Sequence, residues 1–160
     1  MKLLGCWLGK KPMFLKKLLE QWNLKEAPKK FSTSQTGKIG MNEIFFFDTY
    51  AFFEIIKGNQ NYKPYKDIKF VTTIFNLAEL NYNLKKEKDA KVVDEYTDKY
   101  SKFIAEVTID DIKKAMDLKT TKRNLSIPDA IGYTVAKRFN IKFLTGDKDF
   151  ENMDNVEFAR

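Results

Sequence analysis

From Met41 onward the chain alternates short apolar runs with amphipathic stretches, and this alternation restricts the possible folds more than any other feature. Ile44-Phe45-Phe46-Phe47 is a continuous apolar run of strand length, as expected for a strand buried on both faces. Ala51 to Lys57 reads as a helix stopped by Gly58. Asn59 to Asp67 is polar, contains Pro64 and reads as a loop, and Lys69 to Thr72 reads as a second strand. Thr73 to Leu84 sets Ile74, Leu77, Ala78 and Leu80 on one helical face. Lys86 to Tyr100 is a charged helix with the apolar stripe Val92, Val93, Tyr96 and Tyr100. Phe103 to Ile109 reads as a third strand and Asp110 to Thr120 as a helix. Pro128 to Phe139 is helical, with Ile131, Val135 and Phe139 at successive i+4 positions. Ile141 to Leu144 is a fourth strand, and Val156 to Phe158 a short fifth. Strands alternating with helices specify an α/β domain with a mainly parallel sheet.

The length, 160 residues, suits one such domain. Residues 1–40 differ in character. Pro12 to Trp22 reads as a short basic amphipathic helix through Leu15, Leu18, Leu19 and Trp22. Ala27-Pro28-Lys29-Lys30 and Ser32 to Gly37 read as linker. The expected organisation is therefore a basic leader or appendage over 1–40 and the α/β domain over 41–160. Charge follows the same division. Nine of the 29 basic and two of the 22 acidic residues fall in 1–40, so the whole net charge of +7 lies there. The domain itself is electrically balanced, and any contact it makes with a polyanion must come from a local patch.

The chain contains no histidine. This excludes the Ser-His-Asp triad, the Cys-His pair and histidine general acid–base chemistry. Cys6 is the single cysteine, so neither an internal disulfide framework nor an ordinary zinc site can form. Leu3 to Leu8 is too short an apolar run for a good secretory signal, and no stretch has the length of a membrane span. A cytoplasmic protein with no membrane partner is the expectation. An enzyme of this composition would work with carboxylates, lysines, hydroxyls or a hard metal ion.

Four acids stand where such chemistry would be found. In open parallel sheets, ligands bind beyond the carboxyl ends of the strands. Asp48 directly follows the first strand, and Asp147 follows Phe143-Leu144-Thr145-Gly146 at the end of the fourth. Glu79 lies about two turns into the helix after the second strand, and Asp129 begins the helix that leads into the fourth. If the first and fourth strands are neighbours, these carboxylates converge, and together they repel one another unless a cation sits among them. Each acid also has a purely structural reading. Asp129 follows Ser126 by three residues, the spacing of a capping box. Asp147 suits a cap on the turn at Lys148-Asp149-Phe150. Glu79 suits a solvated helix face. Asp48 is the hardest to read this way, because an acid ending a Phe-rich buried run is costly unless paired or metal-bound.

These residues carry a resemblance. Phe46-Phe47-Asp48-Thr49-Tyr50 resembles the opening strand of PIN domains, and Asn76-Leu77-Ala78-Glu79-Leu80 their helix glutamate in its apolar setting. Leu125 to Tyr133, with Ser126-Ile127-Pro128-Asp129-Ala130, is similar to the motif of the third acid. Phe143 to Phe150 is similar to the last signature, Thr-x-Asp-x-Asp-Phe. The resemblance covers residues 42–160, and the chain resembles the VapC-like toxin ribonucleases. It implies a three-layer α/β/α Rossmann-like fold with strand order 3-2-1-4-5, and an Mg2+- or Mn2+-dependent endoribonuclease in which a metal-bound water attacks the phosphodiester. It implies Asp48, Glu79, Asp129 and Asp147 as the catalytic and metal-binding acids, with Thr145 orienting them. Asp149 is implied as a fifth metal ligand, or instead as a residue that fixes the turn, and Thr49 stands where the family has Ser or Thr after the first aspartate. The implied setting is the toxin of a toxin–antitoxin pair that dimerises, cuts structured RNA such as tRNA or rRNA, and is silenced by a cognate antitoxin.

Other readings make different demands on the sequence. A non-catalytic PIN-fold module that docks RNA or protein would not need all four acids. A haloacid-dehalogenase-like phosphatase needs Asp-x-Asp after the first strand, where this chain has Asp48-Thr49-Tyr50. A receiver would show paired acids there, and Glu43 stands on the wrong side of the strand. A dinucleotide-binding Rossmann protein needs a glycine-rich turn, and the nearest glycine is Gly58.

Overall fold

The structure, a computed structural model, describes residues 43–160. The expected leader, its helix over Pro12 to Trp22 and the domain start at Met41 lie outside the described residues. Strand β1 (Ile44–Phe47) leads into helix α1 (Thr49–Lys57). Strand β2 (Lys69–Val71) is followed by helices α2 (Ile74–Leu84) and α3 (Ala90–Ser101). Helices α4 (Ile109–Thr121) and α5 (Ile127–Phe139) then lead to strands β3 (Lys142–Thr145) and β4 (Val156–Phe158). Among the described residues no helix is long and apolar enough to cross a membrane.

The sheet is parallel throughout, in the order β2-β1-β3-β4. Phe46 lies opposite Val71 on one side and Phe143 on the other. The first and fourth expected strands are thus neighbours, and β1 is central. Its four residues are all buried, which explains the uninterrupted apolar run. The period of two then sorts them. Phe45 and Phe47 join Phe52, Leu77, Leu80, Val93 and Tyr100 on one face. Phe46 stacks on Phe143, whose ring also meets Tyr133 of α5 and Phe150. Helices therefore cover both faces, and the α/β/α layering expected from the sequence is found.

Two local expectations are corrected. The third strand, expected over Phe103 to Ile109, is reduced to one parallel bridge between Thr72 and Ile104 on the outer edge of β2. Thr72 N donates to Phe103 O and Ala105 N to Thr72 O, and pairing stops there. The sheet order is accordingly 2-1-4-5 of the expected strands, with the third present only as this bridge. Two interactions end the strand. Thr108 and Asp111 form a capping box that starts α4 at Ile109. Arg138 Nη2 donates to Glu106 O at 2.6 Å and takes that carbonyl out of any ladder. The second correction concerns Asn59 to Asp67, expected to be a loop. Gln60–Tyr65 is a 3-10 helix, with Asn59 as its cap. Tyr62 and Tyr65 are buried, and their hydroxyls donate to Ala159 O and Glu157 Oε1. Two tyrosines in a polar stretch are enough to hold it against the C-terminal strand.

Candidate metal centre

Asp48 ends β1 and caps α1. Because the strand is central, its carboxyl end is enclosed, and Asp48 is only 2% exposed. One carboxylate oxygen accepts from Thr49 N at 2.6 Å. The other accepts from the Thr145 hydroxyl at 2.7 Å, across from the end of β3. Burial pushes the Asp48 carboxyl well above the ordinary carboxylate range, and the charge of Asp129 pushes it further. The Thr145 and Thr49 hydrogen bonds oppose this, and Glu79 adds to it.

Glu79 projects from α2. The Thr49 hydroxyl donates to Glu79 Oε2 at 2.7 Å, so the residue after Asp48 ties the second acid to the first. Its pKa is also raised, first by burial, against which Thr49 and Ser126 stabilise the charged form, while Asp129 and Asp147 raise it. Asp129 is the third residue of α5 and completes a capping box. Ser126 N donates to Asp129 Oδ2 at 2.7 Å, and Asp129 N to Ser126 Oγ at 3.2 Å. Burial again raises its pKa most, with Ser126 opposing and Asp147 and Asp149 contributing. Asp147 caps the short 3-10 helix Lys148–Phe150, and its own N–H donates to the Thr145 hydroxyl at 3.1 Å. Asp149 is exposed, and its N–H donates to Asp147 Oδ1.

The structural readings and the site reading are therefore not rivals. Asp129 and Asp147 do cap helices, and the caps hold them where Asp129 acts on Asp48 and Glu79, and Asp147 on Glu79 and Asp129. The sequence gives less notice of Asn76. It is fully buried on α2, three residues before Glu79 and so on the same face. Its amide nitrogen lies 3.5 Å from Asp48 Oδ1 and 3.4 Å from the Thr49 hydroxyl, while its oxygen accepts from Thr73 Oγ1 at 2.6 Å. The signal that could have found it is a polar side chain among Leu77, Leu80 and Leu84 on an apolar helix face.

Among the described residues, none of the four carboxylates forms an ion pair with a lysine or arginine. Nor do any three acidic side chains stand close enough together, as arranged, to hold a metal ion. The chemistry of the donors nevertheless fits a hard divalent cation. All are carboxylate oxygens, neighbouring acids raise the pKa values of Asp48, Glu79 and Asp129, and a buried acid with only neutral hydrogen-bond donors is the setting a cation relieves.

A family model described as PIN domain matches residues 45–156. Two solved structures share the fold. One is a toxin–antitoxin complex from Klebsiella pneumoniae, at 19% identity and a TM-score of 0.57, covering 70% of this chain and 94% of that one. The other is VapBC2 from Rickettsia felis bound to a DNA fragment from their promoter, at 18% identity and a TM-score of 0.56, covering 73% and 99%. No curated protein matches the chain significantly.

Proposed function

This chain belongs to the PIN-domain family, and on that premise we propose that it is a metal-dependent endoribonuclease acting as the toxin of a toxin–antitoxin pair. One observation supports the reading. Acids from four separate elements lie near enough to act on one another, Asp129 and Glu79 on Asp48 and Asp147 on Glu79 and Asp129, and none of the four is ion-paired among the described residues. Asp48, Glu79, Asp129 and Asp147 would hold Mg2+ or Mn2+, with Asp149 at the outer edge. A bound ion of this kind supplies a more acidic water and neutralises charge on the phosphate. The residues of the chain do the positioning. Thr145 and the Thr49 N–H fix the two oxygens of Asp48, Thr49 Oγ1 fixes Glu79, and the Ser126 N–H fixes Asp129.

RNA, such as tRNA or rRNA, is the proposed substrate, in the cytoplasm, with a cognate antitoxin and a second copy of the chain as partners. The two fold relatives support the antitoxin partner, since both come from toxin–antitoxin systems. The test is cleavage of mixed RNA by the full chain. Mn2+ or Mg2+ should support it, EDTA should abolish it, and Asp48→Asn should reduce it by orders of magnitude. Full activity in EDTA or in Asp48→Asn, once contaminating nuclease is removed, overturns the proposal. No cleavage under any metal condition would favour the non-catalytic binding module instead.

A further inference from the structure

We propose that Tyr82 and Lys86 form a subsite that stacks an unpaired nucleobase of the RNA strand beside the acid cluster; this rests on the nuclease reading above. Tyr82 lies on α2 three residues after Glu79, so the two side chains are neighbours on one helix face. Glu79 turns inward to Thr49, whereas Tyr82 is 65% exposed. Most other aromatic rings of the domain are buried or half-buried in its core, and Tyr82 is the aromatic among the exposed large apolar side chains of the described residues. Lys86 Nζ stands 4.0 Å from the Tyr82 ring centroid and donates to Asn83 Oδ1 at 2.9 Å. The ammonium thus lies over one face of the ring, and the proposed stacking uses the opposite face.

An exposed aromatic with a cation beside it is the arrangement by which proteins hold single strands. Every base has a π-face to stack, and the cation suits the adjoining phosphate. The need is specific to this domain. Residues 41–160 carry no net charge, and the acids repel a polyanion, so bulk electrostatics cannot hold a strand against the site. Stacking does not depend on charge and offsets that deficit one helical turn from Glu79. Ile74 and Ala78, two turns and one turn earlier on the same helix, are also exposed, so a protein partner is the alternative occupant; the Lys86 ammonium on the ring and the nearness of the acid cluster favour the strand.

The test uses the full chain in EDTA, so that RNA is bound without metal-dependent cleavage. A short single-stranded RNA carrying 2-aminopurine is compared with the same strand made abasic at that position. Wild type and Tyr82→Phe should bind the base-containing strand alike and quench its fluorescence. Tyr82→Ala should bind it roughly tenfold more weakly, without a change in melting temperature. The abasic strand should bind all three proteins equally. An equal affinity of wild type and Tyr82→Ala for the base-containing strand overturns the proposal, as does an equal loss on both strands. Weakened binding of a protein partner by Tyr82→Ala, with RNA binding unchanged, assigns the ledge to that partner instead. Failure of the nuclease reading is seen separately, as a wild type that cuts no RNA in Mn2+.

Discussion

The Thr145 hydroxyl and the Asp48 carboxylate are 97 residues apart in sequence and 2.7 Å apart in the fold. The bond joins the carboxyl ends of the two central strands, and the same hydroxyl accepts from Asp147 N. One side chain therefore aligns the first acid and the turn that carries the fourth.

Replacing Thr145 with Val should leave a buried oxygen of Asp48 without its donor. The expected cost is about 1–3 kcal/mol in urea unfolding at neutral pH. Thr145→Ser restores the hydroxyl and should recover most of it. If Thr145→Val is as stable as wild type, the hydrogen bond contributes nothing to stability.

The acids make a signed prediction about pH. Asp48, Glu79 and Asp129 all have raised pKa values, with burial the largest cause in each. The folded protein thus holds these protons more tightly than the unfolded chain does. Their contribution to stability is fully present below about pH 4 and is lost as pH rises through the raised values. Asp48→Asn removes one of the three. Its melting temperature should match that of the metal-free wild type in acid and exceed it increasingly toward neutrality. A difference that does not change with pH would contradict this. Mn2+ should raise the melting temperature of wild type and have less effect on Asp48→Asn.

Gly132 is one turn beyond Asp129 on α5. A Cβ there would fall 2.8 Å from Asn76 Oδ1 and 2.9 Å from the Phe46 ring. The absent side chain lets α5 approach both the sheet and the polar group beside Asp48. Gly132→Ala should destabilise the fold by about 1–3 kcal/mol through overpacking. It should also reduce the proposed activity by displacing Asp129. Retention of wild-type stability and cleavage would mean that Asn76 and Phe46 yield freely.

We propose that the domain over 41–160 folds without the leader. Deletion of residues 1–40 should leave a single cooperative thermal transition, followed by circular dichroism. Loss of that transition would make the leader part of the core and move the boundary.

Much of the fold is legible in particular residues. Ile44 to Phe47 announces a strand buried on both faces because only such a strand needs no polar alternation. Gly58 ends α1 in the left-handed conformation, at φ 75°. Ser126 and Asp129 announce the start of α5 by their spacing, and the capping box is formed. The third strand is less legible. Phe103 to Ile109 has the composition of a strand, but Arg138, some thirty residues later, takes the Glu106 carbonyl and Thr108 begins a helix. Tyr62 and Tyr65 were hidden in the same way. Their partners, Ala159 and Glu157, lie at the other end of the domain.

The sequence by itself determined the alternation of strands and helices, the acids at the strand ends and the helix caps, because these depend on neighbours within one turn or one strand. The tertiary structure decided which ends meet. Pairing β1 with β3 brings Thr145 to Asp48, and packing α2 and α5 around them brings the Asn76 amide to Asp48 and sets Glu79 and Asp129 within reach of each other's charge. Hydrogen bonds between such groups fail beyond about 3.5 Å, and their charge interactions weaken with distance over about 10 Å. Only the packing of distant segments sets those distances, and local sequence pattern carries no record of them.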